Sequence, residues 1–326
     1  MQRYVMLRNP SSNRVYAGES ARLSAAELHS TAAFASGIDD ETIAGIGYLG
    51  FDAEPLSEAA AAVVASQSSY LALFAREGDL LRPVPVPDPF VLDDDLVTIP
   101  KYQGKTNEQF TRLLLNVTLA TVAREPDGPR QILDPMAGRG TTLSTALMAG
   151  HEAYGIEADA KSFEQLASFY KTYLRRKRLK HTAEVRPVRR DGKSIGKRFE
   201  ATITTSAGPL EAIAYTGDAR SSAELFGKKR FDAIVTDAPY GVAHGASTDA
   251  GKDRSPASLL RAAIPVWARQ LKHGGALGIS WNTYGLSRDE LTAIMVKAGL
   301  RVVDDGGFQH RVDSSIKRDL MVAVAP

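Results

Sequence analysis

Cysteine is absent from the 326 residues. That one absence removes disulfides, iron–sulfur clusters, cysteine-ligated zinc and a cysteine nucleophile. It fits a reducing compartment, and a cytoplasmic location is the expectation. A strong excess of either charge is also missing. Against 40 Lys plus Arg stand 38 Asp plus Glu, a formal net charge of +2. A globally basic coat is excluded, whereas a local basic patch is not. No apolar run approaches the roughly 18–20 residues that a membrane span requires, and the opening MQRYVMLRNPSSN holds no signal-peptide core. No membrane partner is expected. The six His have no ligand spacing, so no metal is expected either. What remains is ordinary globular material. Hydrophobic residues at 44% and charged residues at 24% suffice for a sizeable core, and the length suits two domains.

Charge and punctuation divide the chain. Residues 1–96 hold six Arg, no Lys and fourteen acidic residues, a local net charge of −8. The expectation there is a small α+β domain: a strand at Tyr4–Leu7, helices near Ser24–Ala35 and Ser57–Ala75, and a strand or loop at Gly45–Phe51. Ser24 and Glu27 have the spacing of a capping box. Pro83, Pro85, Pro87 and Pro89 then form an extended connector that ends in a solvated acidic tip, Asp93–Asp95. From 97 to 326, apolar strand candidates alternate with helical segments. That alternation predicts βαβ units on a mainly parallel sheet. The block 171–198 interrupts it with twelve Lys or Arg against Glu184 and Asp191, a net +10. It is followed by two extended runs around Ala207–Gly208–Pro209. The expectation is a basic β-hairpin insertion over 175–210.

The most informative loop is Ile132-Leu133-Asp134-Pro135-Met136-Ala137-Gly138-Arg139-Gly140-Thr141-Thr142. It leaves a strand, passes two glycines and enters a helix whose first N–H groups face the same space. It is neither a dinucleotide fingerprint nor a phosphate loop. Asp134 at the strand end repels a pyrophosphate and attracts an α-amino group. A cofactor with an amino-acid end fits, and S-adenosylmethionine is the expected one. The next strand ends at Glu157, followed by Ala158, where a carboxylate can accept both ribose hydroxyls. Asp218 and Ala219 follow the third strand, where Asp218 can accept from an adenine amino group. Open α/β sheets place ligands along this edge.

The fourth strand runs into Asp237-Ala238-Pro239-Tyr240-Gly241. An exocyclic amine is a poor nucleophile because its lone pair is delocalised into the ring. The Asp237 carboxylate and the Ala238 carbonyl can each accept an N–H and so direct that lone pair at a methyl donor. Pro239 fixes the turn, and Tyr240 offers a face for a base to stack on.

Asp134–Thr142 together with Asp237–Gly241 resembles the class I S-adenosylmethionine-dependent methyltransferases of the Asp-Pro-Pro-Tyr type, and within them the TRM11-like tRNA guanosine-N2 methyltransferase group. The resemblance spans about 97–326. It implies a Rossmann-like seven-stranded, mainly parallel sheet and methyl transfer to an exocyclic nitrogen, most readily guanine N2 in tRNA. S-adenosylhomocysteine would be the product. The family's cofactor residues match Asp134, Ala137, Gly138 and Gly140, with Pro135 and Thr141 alongside, then Glu157 and Asp218. Its amine-binding tetrad matches Asp237, Ala238, Pro239 and Tyr240, with Ala238 where the family usually has Pro. Its segment ahead of the first strand resembles Lys101–Glu108, which makes Lys105 and Thr106 cofactor candidates. His310–Arg318 resembles the group's last strands.

Substrate contacts are expected from Arg175, Arg176, Lys177 and Arg178, which can hold a nucleic-acid backbone, and from Gly241, Asn282 and Arg318. Arg186, Arg189 and Arg190 continue the basic surface, and the loop after the tetrad carries His244. tRNA is the expected partner. A homodimer and a small activating partner protein both stay open. The same amine chemistry would also serve N-methylation of DNA adenine, a protein amide or a small nucleoside-like molecule.

Overall fold

The computed structural model describes the chain of 326 residues except 12, 103, 124–125, 191–192, 240–255 and 304–305. The first part forms β1 (Gln2–Arg8), α1 (Arg14–Thr31), β2 (Ser36–Ile43), β3 (Ile46–Ala53), α2 (Glu58–Ala65), β4 (Tyr70–Glu77) and β5 (Leu80–Pro83). Its five strands make an antiparallel sheet in the order β2-β3-β1-β4-β5.

Three expectations fail here, each for a local reason. The first helix starts ten residues early because Asn13 caps it, accepting from the Tyr16 N–H at 3.0 Å. Ser24 and Glu27 therefore lie inside α1, and both are buried. They form no capping box. Ser24 meets the Ser69 hydroxyl at 2.6 Å, and Glu27 accepts the Ser68 N–H at 2.9 Å. The second helix ends at Ala65, where polar Gln67, Ser68 and Ser69 turn the chain. Tyr70–Glu77 then alternates as a strand, with Leu73 and Ala75 on the buried face. Strand β2 has a weak hydrophobic signature; it pairs along β3, sets Ile38 against the core, and is tied further by charge. Arg3 donates to Glu41 at 2.6 Å, Arg76 donates to Glu41 at 2.6 Å, and Arg8 pairs with Asp40. Part of the acidity of residues 1–96 is thus paired within this sheet.

The rest of the chain forms α3 (Asp95–Thr98), α4 (Glu108–Ala120), β6 (Gln131–Asp134), α5 (Thr141–Met148), β7 (Glu152–Glu157), α6 (Ala160–Arg176), β8 (His181–Arg190), β9 (Lys193–Thr205) and β10 (Gly208–Thr216). It continues with α7 (Ser222–Phe226), β11 (Phe231–Asp237), α8 (Pro256–Gln270), β12 (Leu271–Asn282), α9 (Arg288–Lys297), β13 (Arg301–Val303), β14 (His310–Arg311) and β15 (Lys317–Val324). The sheet order is β13-β15-β12-β11-β6-β7-β10-β9-β8, with β14 on β15. Its centre is parallel, and β15 runs antiparallel to β12.

Among the described residues this sheet has ten strands where seven were expected. The hairpin accounts for two of the extra three. The expected pair of runs around 207–209 is β9 and β10, and His181–Arg190 adds a further strand beside them. Both hairpin strands are hydrogen-bonded into the sheet edge, so the insertion widens the sheet instead of hanging from it. Residues 175 and 176 belong to the end of α6. The acidic tip is not simply solvated: Lys177 donates to Asp93 at 2.7 Å and pairs with Asp95 at 2.5 Å, and the Tyr173 hydroxyl donates to Asp95 at 2.7 Å.

Buried strands fix the site's frame. β11, sequence FDAIVTD, is buried at every position but its last. α1 packs on α4 and joins the two sheets. Glu27 accepts from Asn116 at 2.8 Å, and Arg112 donates to the carbonyls of Ser66 and Ala65, each at 2.8 Å. No helix among the described residues is long and apolar enough to cross a membrane.

Candidate active site

The order of the large sheet reverses between β6 and β11. From β6 the chain moves outward through β7 to β10, then returns to β11 and moves the other way through β12. The loops after β6 and β11 therefore diverge and leave a crevice at the carboxyl ends of these strands. Asp134 ends one strand and Asp237 the other.

Asp134 is 3% exposed. It accepts the Met136 N–H at 3.0 Å and the Thr236 hydroxyl at 2.7 Å. Burial pushes its carboxyl up to about 6. The donors Thr236, Met136 and Thr142 oppose that shift, and the charge of Asp237 adds to it. Pro135 behind it is buried. The loop then folds onto β7, with the Ala137 N–H donating to the Ile156 carbonyl at 2.8 Å. Gly138 (φ 54) and Gly140 (φ 87) both take left-handed backbone that favours glycine. They differ in surroundings. A Cβ on Gly138 would meet nothing within 4 Å, whereas one on Gly140 would press on Leu166 at 3.1 Å. The loop is open at Gly138 and packed at Gly140, where α5 begins.

Glu157 accepts the Gly138 N–H and the Asp159 N–H, each at 2.7 Å and on different oxygens. Burial raises its carboxyl, and these backbone donors hold it down. The Ala158 N–H also faces this carboxylate, which keeps part of its acceptor capacity. Ala158 is exposed beside it. Asp218 is differently placed. Arg220 donates to both its oxygens, at 2.8 and 2.6 Å, and holds the carboxyl below the usual carboxylate range. Ala219 is buried, and its carbonyl accepts the Trp267 indole N–H at 2.9 Å.

Asp237 is clasped by two hydroxyls. Thr106 donates to Oδ2 at 2.6 Å, and Ser280 donates to Oδ1. The Arg318 guanidinium lies 3.8 Å from the same carboxylate and 4.5 Å above the Phe110 ring. Ala238 is buried and gives its N–H to the Ser280 carbonyl at 2.8 Å, and Pro239 next to it is exposed. Tyr240, Gly241 and His244 lie outside the described residues. Ahead of the first strand, Tyr102 meets the Thr141 hydroxyl at 3.1 Å, and the Arg139 guanidinium stacks 4.4 Å over its ring. The segment before α4 therefore touches both the glycine loop and the strand end that carries Asp237.

Several expected site residues are engaged elsewhere. Lys105 donates to the Val97 carbonyl at 2.5 Å and pairs with Glu108. Asn282 is 6% exposed and held by three hydrogen bonds. It donates to the Ser315 carbonyl at 3.0 Å and accepts N–H groups from Tyr284 and Lys317. Lys177 is bound to Asp93 and Asp95. Arg175, Arg176 and Arg178 lie at the exit of α6. Sequence reasoning missed Thr236, Ser280 and Arg220, which hold Asp134, Asp237 and Asp218, three of the four carboxylates. The available signal was a hydroxyl residue just before the end of an otherwise apolar strand, in FDAIVTD and in LGISWN.

No protein-family model matches the chain, and no curated protein is similar to it. Solved structures resemble its fold. TrmN from Thermus thermophilus is 13% identical, with a TM-score of 0.42, over 89% of this chain and 59% of its own. A methyltransferase from Pyrococcus furiosus is 13% identical, with a TM-score of 0.42, over 69% of this chain and 87% of its own. Magnesium protoporphyrin IX methyltransferase from Synechocystis PCC 6803, solved with bound SAM, is 14% identical, with a TM-score of 0.41, over 69% and 87%. These are likenesses of outline.

Proposed function

We propose that the protein transfers a methyl group from S-adenosylmethionine to an exocyclic amino nitrogen of a nucleobase, guanine N2 in tRNA. The observation that carries this reading is the placement of Asp134 and Asp237 on the two adjoining strands of the switch point, with the Thr236 hydroxyl, next to Asp237 in the chain, donating to Asp134. The residues fit the cofactor. A buried carboxylate at Asp134 suits an ammonium group, the open backbone at Gly138 admits a ligand, and Glu157 has lone pairs left for a ribose diol. Asp218 can serve the adenine only if Arg220 shares or releases it. We read 97–326 as the catalytic domain and 1–96 as a separate small domain packed on it.

S-adenosylmethionine supplies a methyl group on a positively charged sulfur. The chain's own part is to hold the amine. Asp237, oriented by Thr106 and Ser280, accepts one N–H, and the Ala238 carbonyl accepts the other. Held so, the nitrogen's lone pair would be free to take the methyl group that a bound S-adenosylmethionine would supply, with the thioether as leaving group keeping the S–C bonding pair. The nitrogen then loses a proton to Asp237. Tyr240 provides the stacking face for the base.

The deciding experiment is nucleoside mass spectrometry of RNA and DNA from cells lacking the protein, beside a calorimetric titration of the purified chain with S-adenosylmethionine. Loss of N2-methylguanosine from tRNA is the expected result. A loss confined to DNA N6-methyladenine would move the substrate and keep the amine chemistry. Absence of cofactor binding would end the reading.

A further inference from the structure

The register of the basic hairpin carries information that its composition does not. Thr216, the last residue of β10, is level with Glu157 at the carboxyl edge of β7. On the other side of β10, the Lys197 N–H donates to the Thr216 hydroxyl at 2.7 Å. Residues 193–196 of β9 and their partners on β8 therefore run past the edge of the sheet. At about 3.3 Å per residue they project roughly 13 Å beyond it. They project at the end where Asp134, Glu157 and Asp237 lie. The far end of the hairpin is an arm standing beside the crevice.

The arm and the hairpin at its base are basic and carry one exposed apolar group. Arg186 and Lys197 have side chains 67% and 51% exposed, and Arg189 is exposed as well. Arg186 is paired with Glu184 and Lys197 with Glu164 at 2.8 Å. Such surface pairs are weak in water and exchange readily for a phosphate. Pairing passes from Val188 with Gly196 to Arg189 with Ser194, so Ile195 is the extra residue of a β-bulge. It is 53% exposed. Between the arm and α6 lies a groove of about 400 Å³ lined by Phe163, Val185, Lys171, Arg175 and Lys197. Charge elsewhere points the same way. Asp39 and Asp40 on β2, paired with Arg3 and Arg8, belong to residues 1–96, whose net charge of −8 repels a polyanion.

We infer that the arm and the hairpin at its base dock the RNA strand that carries the target base, which passes over the sheet edge at β8, with phosphates on Lys197 and Arg189 from one face and Arg186 from the other and an unstacked base against Ile195. The assignment rests on the proposed methyl transfer to RNA. It moves the backbone contact away from Lys177, which Asp93 and Asp95 already hold. Four strand spacings separate β11 from β9. That is about 19 Å, so the arm grips the strand some nucleotides from the reacting amine.

The test is fluorescence anisotropy of an unmodified tRNA transcript on the full chain, over a series of salt concentrations and without cofactor. For the triple variant Arg186→Ala, Arg189→Ala, Lys197→Ala, we expect the Kd to rise at least tenfold. The slope of log affinity against log salt should fall by about 2 to 3. Ile195→Ser should weaken binding roughly threefold or more and leave the salt slope unchanged. The triple variant's S-adenosylmethionine titration should match the parent's. Unchanged affinity and slope in both variants would overturn the proposal. A DNA duplex of the same sequence, bound as tightly and with the same dependence on the three cations, would overturn the assignment to RNA. Because the assay needs no cofactor, it reads the arm even if the methyl-transfer reading fails.

Discussion

Thr236 donates its hydroxyl to Asp134 at 2.7 Å, from the strand that ends in Asp237. The residue that would anchor the cofactor is thus held by the immediate neighbour of the residue that would anchor the amine. The two halves of the site are built as one unit, and a change on one strand is felt on the other.

That link gives the first prediction, a pH dependence. Asp134 titrates near 6, above its ordinary 3.8, because burial disfavours its charge. Its contribution to stability is full below about 3.8 and is lost as pH rises through 6, a cost of about 3 kcal/mol at neutral pH. Asp134→Asn should therefore raise Tm at pH 7.5 and abolish S-adenosylmethionine binding. In the parent, affinity for the cofactor should climb between about pH 5 and 7 as the carboxylate ionises. Calorimetry across that window checks both. A flat profile would remove Asp134 from the binding site.

Asp237 separates binding from turnover. Asp237→Ala should leave cofactor affinity largely intact and cut kcat roughly 10²–10³-fold. Thr106→Val and Ser280→Ala remove one orienting hydrogen bond each, and each should cost about tenfold in kcat. Full activity in both hydroxyl variants would mean that the carboxylate needs no orienting.

Arg318 was expected on the substrate, yet it is 5% exposed, stacked on Phe110 and facing Asp237. Arg318→Met should lower kcat and leave RNA affinity in the anisotropy assay unchanged. A raised Kd for RNA with kcat preserved would return it to the substrate surface.

Asn282 separates structure from recognition in the same way. Its side chain closes three hydrogen bonds across the turn after β12 and the approach to β15. Asn282→Ala should cost about 1–3 kcal/mol of stability, read as a lower Tm. The KM of the folded enzyme should not move.

Glu27 tests how the two sheets are joined. It is fully buried, accepts from Ser68 on one side and Asn116 on the other, and its carboxyl is raised by burial. Glu27→Ala leaves those buried donors unpaired and should lower stability by about 2–4 kcal/mol in chemical denaturation. Cofactor affinity of the folded fraction should stay the same. If affinity fell with stability unchanged, Glu27 would act through the site.

The parts of this protein that were legible in the sequence are those decided locally. An apolar strand ending in a carboxylate, then two glycines and a helix start, is readable at Ile132–Thr142 because turn geometry and burial are properties of neighbouring residues. The same holds for Glu157 and Asp237. Local reasoning failed where local signals were weak or ambiguous. The acidic strand β2 is stabilised by Arg3, Arg8 and Arg76 from other strands, and Ser24 with Glu27 imitated a cap in the middle of a helix.

Tertiary structure alone decided which groups serve the carboxylates. Thr236 reaches Asp134 across 102 positions, and Thr106 reaches Asp237 across 131. Such pairings follow from strand order and register, which no window of sequence contains. The hairpin shows the same division. Its charge is written in the composition, but only the pairing of Lys197 with Thr216 sets it beside the crevice, because a strand's register fixes how far its end reaches.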